Sequence, residues 1–221
     1  MNSKSLSNVK TVATVGVMAA TLECAKLVLS FLPNIEIVSI MTAVFGYVFG
    51  LGGVIAAFIF VLIEPLIWGF GPWFITYLIY WPALAAVFML LRKREVRSRV
   101  TLTAVALGMT LLFGVVSSIV DCALYIGVNE YYFKNLLLYY LRGVGFYLTQ
   151  LACNAVLFPT LFLLLTDRLT KIKGSLDLGK MYTKLNKIPF FYCENGIFSF
   201  GIKQKMCECA VLSDLKLANF Y

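Results

Sequence analysis

The sequence predicts an all-α integral membrane protein, a bundle of about six transmembrane helices with both termini in the cytoplasm. Three observations predict this fold class. Hydrophobic residues make up 61% of the 221-residue chain and charged residues only 14%, and the mean hydropathy of +0.86 lies far above that of soluble domains. The hydrophobic residues form six runs separated by turn signals. The basic residues, which give a net charge of +8, flank these runs, so the charge indicates membrane topology and not a nucleic-acid partner.

A helix needs roughly 20 residues to cross a bilayer, so the length of each of the six hydrophobic runs indicates whether it can span the membrane. Turn signals separate them: Pro33-Asn34, the glycine-rich stretches 50–53 and 69–72, the basic loop 92–99 and the polar stretch 127–135. The predicted helices cover residues 11–32, 35–49, 54–68, 73–91, 100–126 and 136–165. The second and third runs are short, and they also fit a re-entrant pair.

The distribution of lysine and arginine predicts the orientation, because basic loops favour the cytoplasmic side. With a cytoplasmic N-terminus, the basic loop 92–99 and the segment after helix six both fall inside, whereas the outer loops contain only Lys134 as a basic residue. We therefore expect a multi-pass protein of the plasma membrane. Residues 1–170 form the six-helix domain in this interpretation, and residues 171–221 form a cytoplasmic tail of unknown role.

Ionisable residues inside the apolar runs are candidates for function, because each costs at least ~2.5–3.5 kcal/mol at the centre of a bilayer. Glu64 lies near the predicted outer end of helix three. Asp121 on helix five and Arg142 on helix six lie at nearly the same predicted depth. These two residues either neutralise each other and hold two helices together, or they bind the polar groups of a ligand.

Helix six carries a polar stripe at steps of four residues, formed by Arg142, Gln150 and Asn154 with Phe146 between them. Such a stripe shares one helical face, which we expect to face the bundle. Hydrogen bonds between helices and a ligand site both explain it.

Aromatic residues gather at the same predicted outer level as these charges. An interfacial aromatic belt is the ordinary explanation, but a concave site that combines aromatic and polar groups also fits a small flat metabolite. The candidate ligand-binding residues are Asn34, Glu36, Glu64, Trp68, Trp73, Tyr77, Asp121, Arg142, Gln150 and Asn154.

Helix one carries a strip of small residues, Ala13, Gly16 and Ala20. Small residues let a second helix approach closely. The strip therefore packs inside the bundle or docks against a separate membrane subunit.

Several chemical functions lack a recognisable motif. The chain contains no histidine, no Walker loop and no nucleophile elbow, and its six cysteines do not have the spacing of a zinc site. We expect no catalytic residues, no metal site and no cofactor, and hence no enzyme. Energy for any transport must come from elsewhere.

Residues 8–170 resemble the substrate-binding S components of energy-coupling factor (ECF) transporters, which are vitamin importers of bacteria and archaea. The segments that carry the resemblance are residues 25–36, the glycine-flanked turn 46–53 and Tyr80-Trp81-Pro82. The resemblance implies capture of a vitamin or related micronutrient at the extracellular side. It also implies two kinds of partner, a transmembrane coupling subunit and two cytoplasmic ATPases. The family docks through an A-x-x-x-A motif, for which Gly16 to Ala20 is the best match here.

Two functions of other classes remain open. One is an intramembrane enzyme that uses Glu64 or Asp121 as an acid or base on a lipid-linked substrate. The other is an ion-coupled carrier that works without ATPases.

Overall fold

Helices account for most of the described chain, with one short hairpin near its end. The computed structural model describes residues 3–31, 37–127, 130–185, 189–194 and 197–202, with side chains for 9–31, 37–127 and 130–174. The helices are α1 Ser3–Leu29, α2 Val38–Phe49, α3 Leu51–Trp68, α4 Trp73–Lys93, α5 Arg99–Tyr125, α6 Tyr132–Leu157 and α7 Leu163–Leu185, and a π-helical segment, Phe158–Phe162, joins α6 to α7.

Five helical stretches of the described chain are long and apolar enough to cross a membrane. They are Val9–Leu29, Leu51–Trp68, Trp73–Lys93, Arg99–Tyr125 and Tyr132–Gly174. The sixth apolar helix, α2, has only 12 residues and is thus about 18 Å long, shorter than the ~30 Å hydrocarbon core of a bilayer. The predicted all-α membrane bundle is confirmed, with α2 as a shorter member.

The surface of the bundle is apolar, and several polar side chains lie inside it. Leu66 and Phe133 are 81% and 83% exposed, whereas Glu64 is fully buried. The largest buried side chains, Trp81 and Tyr80, belong to a core formed around α2, α3 and α4. An apolar outer surface of this kind requires lipid around it.

The chain reverses between α2 and α3 at Gly50, whose φ of +62° is favoured only by glycine. Gly53 then lies against the backbone of α2, where a Cβ atom would come within 2.3 Å of the Phe45 carbonyl. A Cβ atom on Gly46 would approach the Ala85 carbonyl oxygen to 2.1 Å, so α2 and α4 pack backbone to backbone. The predicted glycine-dependent reversal at residues 50–53 is confirmed.

The end predicted for helix six, near residue 165, is wrong. Pro159 lacks the N–H for a helical hydrogen bond, and the chain accommodates it in the π-helical segment and then continues as α7 to Leu185. Asp167 therefore lies on a helix, where its carboxylate accepts a hydrogen bond from Arg97 at 2.6 Å. This ion pair joins α7 to the α4–α5 loop.

The same end of the bundle includes the C-terminal part of α2. The Tyr47 hydroxyl donates a hydrogen bond of 2.9 Å to the Val96 carbonyl of the α4–α5 loop. The end of α2, the α4–α5 loop and the start of α7 therefore lie together, which fits the alternating directions predicted for the six helices. Which side of the membrane this end faces stays a prediction.

The chain divides into two compact units, Met1–Leu169 and Thr170–Tyr221. The second unit contains an antiparallel hairpin of strands β1 Pro189–Glu194 and β2 Ile197–Ile202, paired from Pro189 with Ile202 to Glu194 with Ile197. The sequence contains a turn signal at Asn195-Gly196, between the strands, but the sequence analysis predicted no strands there.

Candidate functional site

A buried ion pair joins α1 to α3 close to the α3–α4 turn. The Lys26 ammonium donates a hydrogen bond to Oε2 of Glu64. The Glu64 side chain is fully buried, and that of Lys26 is 21% exposed. Glu64 was a predicted ligand-binding residue, whereas Lys26 was not, so the structure gives Glu64 a partner that sequence reasoning missed.

A second carboxylate accompanies this ion pair. Glu23, one turn before Lys26 on α1, is 7% exposed and interacts electrostatically with both Glu64 and Lys26. Neither carboxylate oxygen of Glu23 has a hydrogen bond of good geometry within the described part of the chain. We refer to Glu23, Lys26 and Glu64 as the buried cluster. Its signal in the sequence was the presence of two ionisable residues inside the first apolar run.

Three aromatic rings surround the ammonium of the buried cluster. The Lys26 Nζ atom lies 4.8 Å from the ring centroid of Tyr77 and 5.8 Å from those of Trp68 and Trp73. Trp73 and Tyr77 also contact each other edge to face at 5.2 Å. Aromatic faces attract cations, so these three rings and Glu64 together hold the Lys26 ammonium in this position.

A cavity of about 630 Å³ lies beside this region, between the start of α4 and the facing sides of α5 and α6. The residues from α5 and α6 fall at helical steps of three and four, so each helix presents one face. The lining residues are Pro72, Trp73, Asp121, Tyr125, Tyr139, Arg142, Gly143, Phe146 and Tyr147. Trp73 belongs to both the cavity and the surroundings of Lys26, so the two regions are adjacent.

Asp121 and Arg142 both line this cavity. Asp121 is half-buried and Arg142 is exposed. Within the described residues, Asp121 and Arg142 form no salt bridge with each other, so these two unlike charges face one space without pairing. The sequence left open whether they pair only with each other, and the structure brings them together without that pairing.

Tyr147 lines the cavity and packs against α5. A Cβ atom on Gly143 would lie 2.4 Å from the Tyr147 hydroxyl oxygen, and one on Gly114 of α5 would lie 2.7 Å from the Tyr147 ring. The ring therefore fits over two glycines where α5 and α6 meet. Tyr147 also contacts Phe113 edge to face at 6.3 Å, which continues the aromatic wall toward the core.

The inner part of the polar stripe on α6, unlike Arg142, is buried and does not line the cavity. Asn154 is 1% exposed, and its Nδ2 donates a hydrogen bond of 2.9 Å to the Thr110 hydroxyl oxygen on α5. Gln150 is buried at 8% exposure, and neither residue is part of the cavity lining. Asn154 thus joins two helices, as the alternative explanation of the stripe expected.

The small residues of α1 lie on the outside of the bundle. Ala13, Gly16 and Ala20 are all exposed, and no described atom lies within 4 Å of a Cβ atom built on Gly16. Of the two explanations from the sequence, packing inside the bundle does not account for this strip. Two further predicted residues, Asn34 and Glu36, lie outside the described residues.

Comparison of the chain with protein-family models, with curated proteins and with solved structures finds no match.

Proposed function

We propose that the chain is the substrate-capture subunit of an ECF-type importer of the plasma membrane. The observation that carries the proposal is the cavity of about 630 Å³ lined by aromatic rings and by two unlike charges, Asp121 and Arg142. Pockets of ~300–1,000 Å³ with a few polar groups are typical of small-molecule sites. The charge bias of the loops predicts that this end of the bundle is extracellular, where an importer captures its substrate.

The cavity opens at one end of the bundle, beside the α3–α4 turn. Pro72 and Trp73 from the start of α4 line it together with Tyr125 from the end of α5. The opposite end is joined by the Arg97–Asp167 and Tyr47–Val96 hydrogen bonds. This asymmetry favours binding from one side of the membrane, followed by delivery through a partner.

The exposed strip of α1 supports a coupling subunit as that partner. Ala13, Gly16 and Ala20 are exposed and carry at most a methyl group, and small residues permit close packing of helices in a membrane. In the proposed assembly, a transmembrane coupling subunit packs on this strip, and two cytoplasmic ATPases provide the energy. The transported compound is a vitamin or related micronutrient.

Affinity purification from native membranes in mild detergent, followed by protein mass spectrometry, tests the assembly. Wild-type protein is expected to co-purify with a transmembrane subunit and two ATPases. Gly16→Leu places a large side chain on the exposed strip, so it should abolish this co-purification without changing the melting temperature. Val115→Leu adds a methylene at another exposed position, on α5, and serves as the matched control that keeps the partners.

Two results would overturn the proposal. Absence of ATPases from the wild-type preparation, in a detergent that preserves a known ECF complex, would contradict the assembly. Uptake into liposomes containing this chain alone would instead identify a self-sufficient carrier.

A further inference from the structure

Asp121 and Arg142, the two charged residues that line the cavity, differ from the charged residues of the bundle that form salt bridges. Asp121 lies on α5 and Arg142 on α6, and both residues line the same cavity. Lys26 and Arg97 each form a salt bridge with a carboxylate. Within the described chain, Asp121 and Arg142 form no salt bridge with each other. Ionisable residues in membrane helices usually mark a functional site, so the arrangement of these two unlike charges around one space calls for an explanation.

A ligand that carries both charges provides one. A guanidinium presents a planar fork of N–H donors that matches a carboxylate, and a carboxylate accepts hydrogen bonds from an ammonium group. Arg142 can thus bind an anionic group of a ligand while Asp121 binds a cationic group of the same molecule. A ligand with only one charge leaves the other protein group without a partner.

The walls of the cavity define the rest of the ligand. Trp73, Tyr139 and Tyr147 bring aromatic rings to the space that Asp121 and Arg142 share. Gly143 contributes no side chain, and the Tyr147 hydroxyl lies over it. A flat ring stacks well on such surfaces, and the volume of about 630 Å³ accommodates one ring system with a short charged arm.

The buried cluster does not provide these functions. Lys26 is engaged by Glu64 and faces Trp68, Trp73 and Tyr77 at 4.8–5.8 Å, so its positive charge is already neutralised. Glu64 is fully buried and does not line the cavity. The charge preference of the cavity therefore depends on Asp121 and Arg142.

We propose that the ligand of this cavity is a small aromatic zwitterion of the amino-acid type. Its carboxylate binds Arg142, its ammonium group binds Asp121, and its ring lies against Trp73 and Tyr147. This inference rests on the proposed function only in taking the cavity as the substrate site. It narrows the substrate from micronutrients in general to aromatic compounds that carry both charges.

Three compounds that share the same indole ring but differ in charge test whether the cavity requires both charges. Tryptophan carries both charges, tryptamine only the ammonium group, and indole-3-propionate only the carboxylate. Binding to the purified full-length chain in nanodiscs is measured by titration calorimetry. Tryptophan should bind more tightly than either single-charge compound by on the order of 10- to 100-fold, which is the effect of losing one hydrogen-bonded charge.

Two variants assign each charge to its residue. Arg142→Gln should remove the advantage of tryptophan over tryptamine, and Asp121→Asn should remove its advantage over indole-3-propionate. Arg97→Gln, at the Arg97–Asp167 salt bridge, is the matched control and should keep the wild-type ranking.

The inference is overturned if tryptophan does not bind, if the three compounds bind equally to the wild type, or if the two cavity variants leave the ranking unchanged. None of these results affects co-purification with ATPases. The substrate class and the transporter assembly can therefore fail separately.

Discussion

The buried cluster and the cavity contain the same kinds of side chain, yet their charges are arranged in opposite ways. In the buried cluster, the Lys26 ammonium contacts Glu64 directly and is surrounded by aromatic rings. In the cavity, Asp121 and Arg142 line an open space of about 630 Å³ without a mutual salt bridge. Both regions include Trp73. The partner of a charge, and not its presence, therefore separates a structural role from a binding role.

Burial explains why the two arrangements have different consequences. Removing one member of a buried ion pair leaves an uncompensated charge in a medium of low dielectric constant, which is strongly destabilising. In the cavity, Asp121 is half-buried and Arg142 is exposed, so removing either charge leaves the other where water in the open cavity can solvate it. The buried cluster should therefore determine stability, and the cavity should determine ligand affinity.

The largest expected effect comes from Lys26→Met, which leaves Glu23 and Glu64 without their counter-charge. We expect a loss of about 3–5 kcal/mol in the free energy of unfolding. Glu64→Gln should cost less, about 1–3 kcal/mol, because Lys26 keeps Glu23 as a neighbour. The measurement is SDS-induced unfolding in mixed micelles, followed by circular dichroism.

Arg142→Met is the matched control, since it makes the same kind of change in the cavity. It should alter the unfolding free energy by no more than about 0.5 kcal/mol. Equal destabilisation by Lys26→Met and Arg142→Met would show that the two regions do not differ as argued.

A further small effect separates the inner end of the α6 stripe from its outer end. Thr110→Val removes the 2.9 Å hydrogen bond from Asn154 and the 3.0 Å hydrogen bond that the Thr110 hydroxyl donates to the Ala106 carbonyl. Hydrogen bonds between helices within membranes contribute ~0.6 kcal/mol on average. Thr103→Val is the control, because the buried Thr103 hydroxyl has no hydrogen bond within the described chain. Thr110→Val should therefore lower the melting temperature more than Thr103→Val does. A loss of ligand affinity without a change in melting temperature would instead assign the inner stripe to the site.

Local patterns predicted the apolar helices and the glycine turn, because hydropathy and backbone freedom are properties of a few adjacent residues. Gly50 is an example: its φ of +62° follows from a reversal that the glycine-rich stretch indicated. The π-helical segment was missed, because Pro159 signals a disturbed hydrogen bond but does not specify whether the chain stops or continues.

Partners distant in sequence could not be predicted from one chain. Lys26 contacts Glu64, which is 38 positions away, and Asn154 contacts Thr110, which is 44 positions away. Arg142 and Asn154 lie on the same polar stripe of α6, so the helical periodicity of the sequence predicted the same role for both residues. Their different neighbours on α4 and α5 give them different roles.

Retained small molecules provide the most direct test that Asp121 and Arg142 form a substrate site. The wild type, the double variant Asp121→Asn/Arg142→Gln and the control Arg97→Gln are purified from native membranes in mild detergent. Compounds extracted from each are compared by mass spectrometry. We predict that the wild type and the control retain the same aromatic zwitterion and that the double variant lacks it. Equal retention by the double variant would contradict the assignment of the cavity as the substrate site.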